Sequence, residues 1–197
     1  ISFQERRLWP RYWLIDPLDG TKEFLKKNDE FTINIALIDQ HKPILGVIFA
    51  PALDVCYLAE DTKGAFKQIA QNRPQPLHSR AWEEGSTITA AVSRRHGMNA
   101  LKIFLAQFEH LNLLHCGSAL KFCFLAEGLA DIYPRFSPTF EWDTAAGQCI
   151  LEQAGGAIID YKGKPLRYNM SSSLQKIAFL AVADKSHCWL NYLKASI

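Results

Sequence analysis

Residues 13–24 of the chain read Trp-Leu-Ile-Asp-Pro-Leu-Asp-Gly-Thr-Lys-Glu-Phe, and the rest of the sequence is organised around this stretch. The apolar run 12–15 predicts a short buried strand that ends where the carboxylates begin. Pro17 favours an extended conformation at Asp16, which places Asp16 at the tip of that strand. A tight turn is then predicted at Asp19 and the glycine after it.

The predicted turn leads into residues 21–27, whose composition is compatible with a helix. Two carboxylates separated by one turn would therefore lie beside the free N–H groups of a helix start. Hard divalent cations prefer carboxylate and carbonyl oxygens, and phosphate groups accept from N–H groups at helix starts. This layout indicates a metal-dependent phosphate site. The alternative is an ordinary acidic turn in which Asp19 only caps the helix.

A second acidic element lies at residues 141–147, which read Glu-Trp-Asp-Thr-Ala-Ala-Gly. We expect Asp143 to be the N-cap of a helix that runs to Ala154 and stops at Gly155-Gly156. A lone aspartate in this place is usually just a cap. The two acidic elements form a metal site only if the fold brings them together, which their spacing in the sequence does not establish.

Composition and charge bound the class of protein. The chain has 197 residues, of which 48% are hydrophobic and 21% charged, so it can form one domain or two small subdomains. A formal charge of +2 without a dense basic block gives no indication of nucleic-acid binding. No apolar run reaches membrane-spanning length. The five cysteines lack CxxC pairs and are typical of reduced, mostly buried residues of an intracellular protein: Cys56, Cys116, Cys123, Cys149 and Cys188.

The pattern along the chain predicts two subdomains, residues 1–85 and 86–197. Short connections between the apolar runs of 31–69 favour antiparallel pairing, and the Pro-containing stretch 71–86 is the expected boundary. Beyond it strands and helices alternate, which is typical of an α/β layer. The helices expected there cover 98–110, 118–129, 143–154 and 186–194, and the strands 87–93, 111–114, 130–134, 157–160 and 178–182.

Two strings resemble the signature motifs of the inositol-monophosphatase superfamily, a group of magnesium-dependent, lithium-sensitive phosphomonoesterases: Asp16-Pro-Leu-Asp-Gly-Thr21 and Trp142-Asp-Thr-Ala-Ala-Gly147. Further strings are similar to its CysQ-type branch, the 3'(2'),5'-bisphosphate nucleotidases: 11–14, 22–24, 31–38, 42–47, 120–123 and 133–136. The resemblance covers most of the chain and is weakest over 67–86 and 166–176. It implies a mixed α/β fold, a layered α-β-α-β-α sandwich of the sugar-phosphatase type with an antiparallel-rich N-terminal sheet.

The resemblance also implies roles at the first motif and at Asp143. Two or three Mg²⁺ ions would be held by Asp16, which bridges two of them, by the Leu18 carbonyl and by Asp19 and Asp143. The N–H groups of Gly20 and Thr21 would bind the phosphate that is cleaved, and the Thr21 hydroxyl would orient the attacking water. The catalytic set implied in this way is Asp16, Asp19, Thr21 and Asp143; Leu18, Asp19, Gly20, Thr21 and Asp143 also face the substrate.

Further substrate-binding residues are expected beyond residue 86. The resemblance places part of the polar turn with Ser93, Arg94 and His96 near the second phosphate or the base of a nucleotide. Gly117 and Ser118 are expected to start a helix and to bind a phosphate or ribose oxygen. Lys121 and Arg135 would hold the phosphate that is not cleaved. The alternatives are a solvated turn, an ordinary serine cap and solvated surface charges.

One departure from the family pattern concerns the beginning of the chain. By the family's spacing, a glutamate ligand of the first metal falls just before Ile1, and an aspartate that helps to activate the water lies further upstream. Glu5 is too close to the motif to replace this glutamate. Because the chain opens at Ile1, without Met and almost directly on a strand, we expect the natural protein to have a further N-terminal part.

The sequence thus predicts an enzyme that hydrolyses adenosine 3',5'-bisphosphate, and its 5'-phosphosulfate analogue as a further candidate, to AMP and phosphate with a metal-activated water. One alternative is an inositol or sugar monophosphatase, and another is a non-catalytic module that binds a cation or nucleotide. The expected partner is a small-molecule nucleotide bisphosphate rather than a nucleic-acid polymer. Cytoplasm is the expected location, although resemblance also suggests the inner face of a bacterial membrane; the oligomeric state is open.

Overall fold

The structure is a computed structural model that describes residues 1–94, 99–176 and 178–194. Its helices and strands follow one another along the chain as α1 (Phe3–Arg6), β1 (Arg11–Asp19), α2 (Thr21–Leu25), β2 (Thr32–Asp39), β3 (Lys42–Ala50), β4 (Val55–Glu60), β5 (Gly64–Ile69), β6 (Gln75–Leu77), β7 (Ile88–Val92), α3 (Asn99–Leu105), β8 (Leu111–His115), α4 (Leu120–Ala126), β9 (Ile132–Arg135), β10 (Thr139–Phe140), α5 (Glu141–Ala154), β11 (Ala157–Asp160), β12 (Gln175–Lys176), β13 (Phe179–Val182) and α6 (Leu190–Lys194).

The first sheet contains β1 to β6 in the order of the sequence, and every neighbouring pair is antiparallel. Burial alternates strictly along β2, where every second residue faces the core. This is the period of a strand with one face on the core, and it confirms the antiparallel pairing predicted for residues 31–69.

Strand β1 differs from the predicted short buried strand. It is an edge strand of the sheet, with Trp13 56% and Ile15 51% exposed, so the apolar run does not mark burial on both faces. The strand also runs on to Asp19, and its register against β2 shifts between Asp16 and Asp19. This irregularity, which contains Pro17, bends the strand end and turns the two carboxylates toward the same region.

Helix α5 joins the two halves of the core because it packs on strands β1 to β5 and also contacts α4 and β11. Its approach to the first sheet depends on Gly46 of β3. A Cβ added there would lie 2.6 Å from the carbonyl oxygen of Ala146 and 2.9 Å from Cβ of Cys149. Helix and strand backbones therefore touch at a place that only glycine permits.

The second sheet has the order β11-β13-β9-β7-β8, in which β7 pairs in parallel with β8 and β9, and the remaining pairs are antiparallel. One face packs against α4 and α5, and the other packs with α3 and α6 around Phe104 and Trp189. The mixed α/β fold class is therefore as predicted. Two sheets with helices packed between and beside them agree with the layered sandwich that the resemblance implies.

Several helices are shorter than predicted. Gly128 has φ of +71° and ends α4 in a Schellman arrangement, in which Leu129 N donates to Phe124 O and Gly128 N donates to Leu125 O. The last helix begins at Leu190 instead of residue 186, because Asp184 binds Ser186 in a local turn. The division into subdomains 1–85 and 86–197 stays a prediction. Within the described residues no helix is long and apolar enough to cross a bilayer.

Candidate metal centre and substrate cleft

The end of β1 brings Asp16 and Asp19 close together. The Asp16 carboxylate accepts a hydrogen bond of 3.0 Å from the N–H of Leu18, which fixes it over the strand irregularity. Asp19 accepts from the Asn34 amide of β2 at 3.3 Å. The chain then turns at Gly20, whose φ of +82° is the left-handed conformation that favours glycine. The predicted turn is present, and helix α2 follows directly, although it stops at Leu25 instead of residue 27.

Asp143 lies in the first turn of α5 but is not the N-cap that we expected. The helix begins at Glu141, so Asp143 is its third residue. Its Oδ2 accepts from Phe140 N at 2.8 Å and from the Thr139 hydroxyl at 2.5 Å. Asp143 is therefore a helix residue whose carboxylate accepts from an N–H group that the helix start leaves free. Both bonds use Oδ2, and Oδ1 takes part in neither.

The three aspartates converge although 124 positions separate Asp19 from Asp143. One carboxylate oxygen from each of Asp16, Asp19 and Asp143 lies within 4.8 Å of the others. Glu5 is exposed on α1 and does not belong to this group. The fold thus brings the two acidic elements together, as a shared metal site requires.

The electrostatics of this cluster fit a divalent cation. Burial, together with the nearby charges of Asp143 and Asp16, raises the pKa of Asp19 to about 6, against the lowering effect of Lys121. Burial also raises the pKa of Asp16, with a further contribution from Asp143. Three carboxylates at this spacing repel one another, and a hard cation bound among their oxygens relieves this repulsion. The donor set therefore fits Mg²⁺ or a similar ion.

A cleft of about 210 Å³ adjoins the cluster. Most of the predicted site residues line it: Asp19, Gly20, Ser93, Arg94, Gly117, Ser118, Lys121, Arg135 and Asp143. Asp16, Leu18 and Thr21 do not line the cleft, but Leu18 and Thr21 are sequence neighbours of residues that do, and Asp16 lies three positions before Asp19. His96 lies outside the described residues.

Lys121 is the most buried cation of the cleft, with only 3% of its surface exposed. Its ammonium donates to the carbonyl oxygens of Ser118 at 2.7 Å and Cys116 at 3.4 Å, and it lies 5.1 Å from the Tyr133 ring centroid. No carboxylate forms an ion pair with it among the described residues. A buried positive charge held by neutral oxygens is available to an anionic ligand.

Ser118 differs from the predicted helix start. Helix α4 begins two residues later, at Leu120, and Ser118 lies in the preceding turn with a φ of +46°. Its hydroxyl oxygen is buried and has no hydrogen-bond partner in the described part of the chain. Within the ranges that the structure describes, Arg135, at the end of β9, donates only to the carbonyl oxygens of Ser137 and Pro138, at 3.3 and 3.4 Å. Both groups therefore retain donors for a ligand.

The cleft also contains residues to which the sequence analysis gave no role at the site. Lys22, Glu23, Tyr133, Thr139 and Phe179 line it. Thr139 lies four residues before Asp143 and its hydroxyl donates to that carboxylate, a contact that the sequence analysis did not anticipate. The remaining residues depend on contacts between distant elements, for which the sequence carries no local signal.

This fold, with a carboxylate cluster at a cleft between two sheets, has clear counterparts among known proteins. The sequence profile of the inositol monophosphatase family matches residues 5–185, and the chain belongs to that family. The 3'(2'),5'-bisphosphate nucleotidase CysQ of Escherichia coli K12 is 45% identical over 184 residues, which are 90% of this chain and 70% of the relative. The CysQ of Haemophilus influenzae is 37% identical over 191 residues, an alignment that covers 96% of this chain and 70% of the relative.

Solved structures agree with this assignment. The crystal structure of CysQ from Bacteroides thetaiotaomicron aligns with a TM-score of 0.85 and 36% identity, over 94% of this chain and 74% of that one. An inositol monophosphatase from Zymomonas mobilis aligns with a TM-score of 0.80 at 22% identity, over 98% and 73% of the two chains, which shows a shared fold.

Proposed function

We propose that the chain is a 3'(2'),5'-bisphosphate nucleotidase that hydrolyses the 3'-phosphate of adenosine 3',5'-bisphosphate to give AMP and phosphate, and that it also accepts the 5'-phosphosulfate analogue. The supporting observation is that one cleft adjoins the carboxylate cluster and is also lined by separate cations, Lys121, Arg94 and Arg135. A bisphosphate needs both, because one phosphate reacts beside the metal ions while the other requires positive side chains. The CysQ relatives named above support the same activity.

Magnesium is the proposed cofactor, with two or three ions and sensitivity to lithium. Asp16, Asp19 and Asp143 would hold the ions, together with the Leu18 carbonyl. Bound there, the ions would supply positive charge that activates a water molecule and stabilises the leaving oxygen.

The chain's own groups then bind and orient the substrate. The N–H groups of Gly20 and Thr21 donate to the phosphate that is cleaved, because they lie at the turn directly after Asp19. The Thr21 hydroxyl is exposed at the start of α2 and orients the attacking water. Lys121 and Arg135 hold the second phosphate.

Further substrate contacts come from the loops beside these cations. The Ser118 hydroxyl and the neighbouring Gly117 would meet a ribose or phosphate oxygen. Ser93 and Arg94 also line the cleft, and in the sequence they directly precede residues 95–98.

A substrate panel tests this proposal. Phosphate release is measured with adenosine 3',5'-bisphosphate and with inositol 1-phosphate, in Mg²⁺ and in EDTA. The proposal predicts faster release from the nucleotide and none in EDTA. Faster release from inositol 1-phosphate would instead indicate a monophosphatase, and binding without turnover would indicate a non-catalytic module. The cytoplasmic location stays a prediction that cell fractionation tests.

A further inference from the structure

Glu30, in the loop between α2 and β2, contacts both sides of the cleft. Its carboxylate accepts a hydrogen bond from each terminal nitrogen of Arg94. Nη1 lies 2.5 Å from Oε2, and Nη2 lies 2.6 Å from Oε1. Oε2 also accepts from the N–H of Gly117 at 2.8 Å. Arg94 follows β7 and Gly117 follows β8, so one side chain of the first sheet's loop holds two loops of the second sheet.

The backbone of Glu30 is also fixed. Its N–H donates to the Asn28 side chain at 3.2 Å. Its carbonyl oxygen would lie 3.2 Å from a Cβ added to Gly20 and 2.9 Å from a Cβ added to Gly117. The residue is therefore packed between the glycine of the metal-binding turn and the glycine of the substrate loop.

From these contacts we propose that Glu30 is a positioning residue, which acts through Arg94 and Gly117 to hold the binding site of the substrate's second phosphate at a fixed place beside the carboxylate cluster. The fork leaves Nε of Arg94 and one hydrogen on Nη1 outside the ion pair, whereas Nη2 also donates to the His115 carbonyl oxygen at 3.4 Å. Arg94 therefore retains donors with which it can bind a phosphate while Glu30 holds it. Gly117 in turn precedes Ser118, whose carbonyl anchors Lys121. This inference rests on the proposed function.

The test compares two substrates, adenosine 3',5'-bisphosphate and adenosine 3'-monophosphate, which lacks the second phosphate. For Glu30→Ala we expect KM for the bisphosphate to rise about tenfold while kcat changes less than about threefold, because binding that is uniform between ground and transition states is lost. The kinetics of the monophosphate should stay within about twofold. Glu30→Gln retains an acceptor for Gly117 and should lie between Glu30→Ala and the wild type. Glu60→Ala, which removes an exposed pair with Lys63, is the matched control.

A double-mutant cycle with Arg94→Ala separates this role from a general structural one. If Glu30 acts through Arg94, KM of the double variant for the bisphosphate should be at most about twice the higher of the two single-variant KM values. Equal losses on both substrates, multiplicative losses in the cycle, or a lower KM for the bisphosphate in Glu30→Ala would each overturn the proposal.

Hydrogen exchange tests the contact independently of turnover. The Gly117 amide should exchange faster in Glu30→Ala than in the wild type, and unchanged exchange would contradict the proposed contact. A wild-type chain that hydrolyses neither substrate, with normal Gly117 protection, would instead refute the proposed function and with it the second-phosphate role of Glu30.

Discussion

The substitution Asp19→Asn separates the chemical role of the carboxylate cluster from its effect on stability. Asparagine has nearly the same shape but removes one of three charges whose oxygens lie within 4.8 Å. Without metal, the pKa of Asp19 is raised from 3.8 to about 6 in the folded protein. The folded state therefore binds this proton more tightly than the unfolded state. The folded protein therefore loses stability as the pH rises from 3.8 to about 6, and the loss is complete above about pH 6.

The size of the penalty follows from the shift. About two pK units at roughly 1.36 kcal/mol each give an upper bound of about 3 kcal/mol, which we reduce to about 1–2 kcal/mol for solvent screening. We therefore expect Asp19→Asn to raise the Tm of the EDTA-treated protein by about 2–8 °C at pH 7.5, and by almost nothing at pH 4. With Mg²⁺ present, turnover of the bisphosphate should fall about 1,000-fold, which corresponds to a loss of about 4 kcal/mol of transition-state stabilisation.

The assays are differential scanning calorimetry in EDTA and phosphate release in Mg²⁺. Asp39→Asn, which removes a surface pair with Arg11 on the same sheet, is the control and should change neither quantity appreciably. Unchanged turnover in Asp19→Asn would remove Asp19 from the site. A lower Tm of the metal-free variant at pH 7.5 would refute the electrostatic argument.

Three further changes test other parts of the structure. Gly46→Ala should lower the free energy of unfolding by about 1–3 kcal/mol in urea titrations, because the new Cβ would lie 2.6 Å from the Ala146 carbonyl; an unchanged value would show that the α5 contact is adaptable. Lys121→Met should lower kcat/KM for the bisphosphate about 100-fold, since a buried cation that serves the substrate is lost; unchanged kinetics would leave Lys121 a structural residue. Mg²⁺ should raise the Tm of the wild type but not that of Asp143→Asn, and equal shifts in both would place the ion elsewhere.

The sequence predicts the local features of this fold because they depend on neighbouring residues. Strand β2 follows from the alternation of residues 32–39, and the turn at Gly20 follows from the Asp-Gly pair. The exposure of Trp13 was missed, since an apolar run looks the same in an edge strand and in a buried one. The end of α4 depends on Gly128, which could have been recognised as a helix stop.

The site itself depends on contacts that no local pattern contains. Asp143 meets Asp19 only because α5 packs closely on the first sheet, and this approach in turn depends on Gly46. The resemblance of the two motifs to a known family predicted this meeting, whereas residue spacing alone did not. Glu30 gave no signal in the sequence, because its two partners, Arg94 and Gly117, lie 64 and 87 positions away.

The most direct test of the account is the position of bound Mn²⁺, used in place of Mg²⁺, in an anomalous difference map of crystals of the full chain. The account predicts at least one peak within coordination distance, about 2.2 Å, of carboxylate oxygens of Asp16, Asp19 and Asp143. A map without a peak among these three side chains, under conditions that saturate turnover, would contradict it.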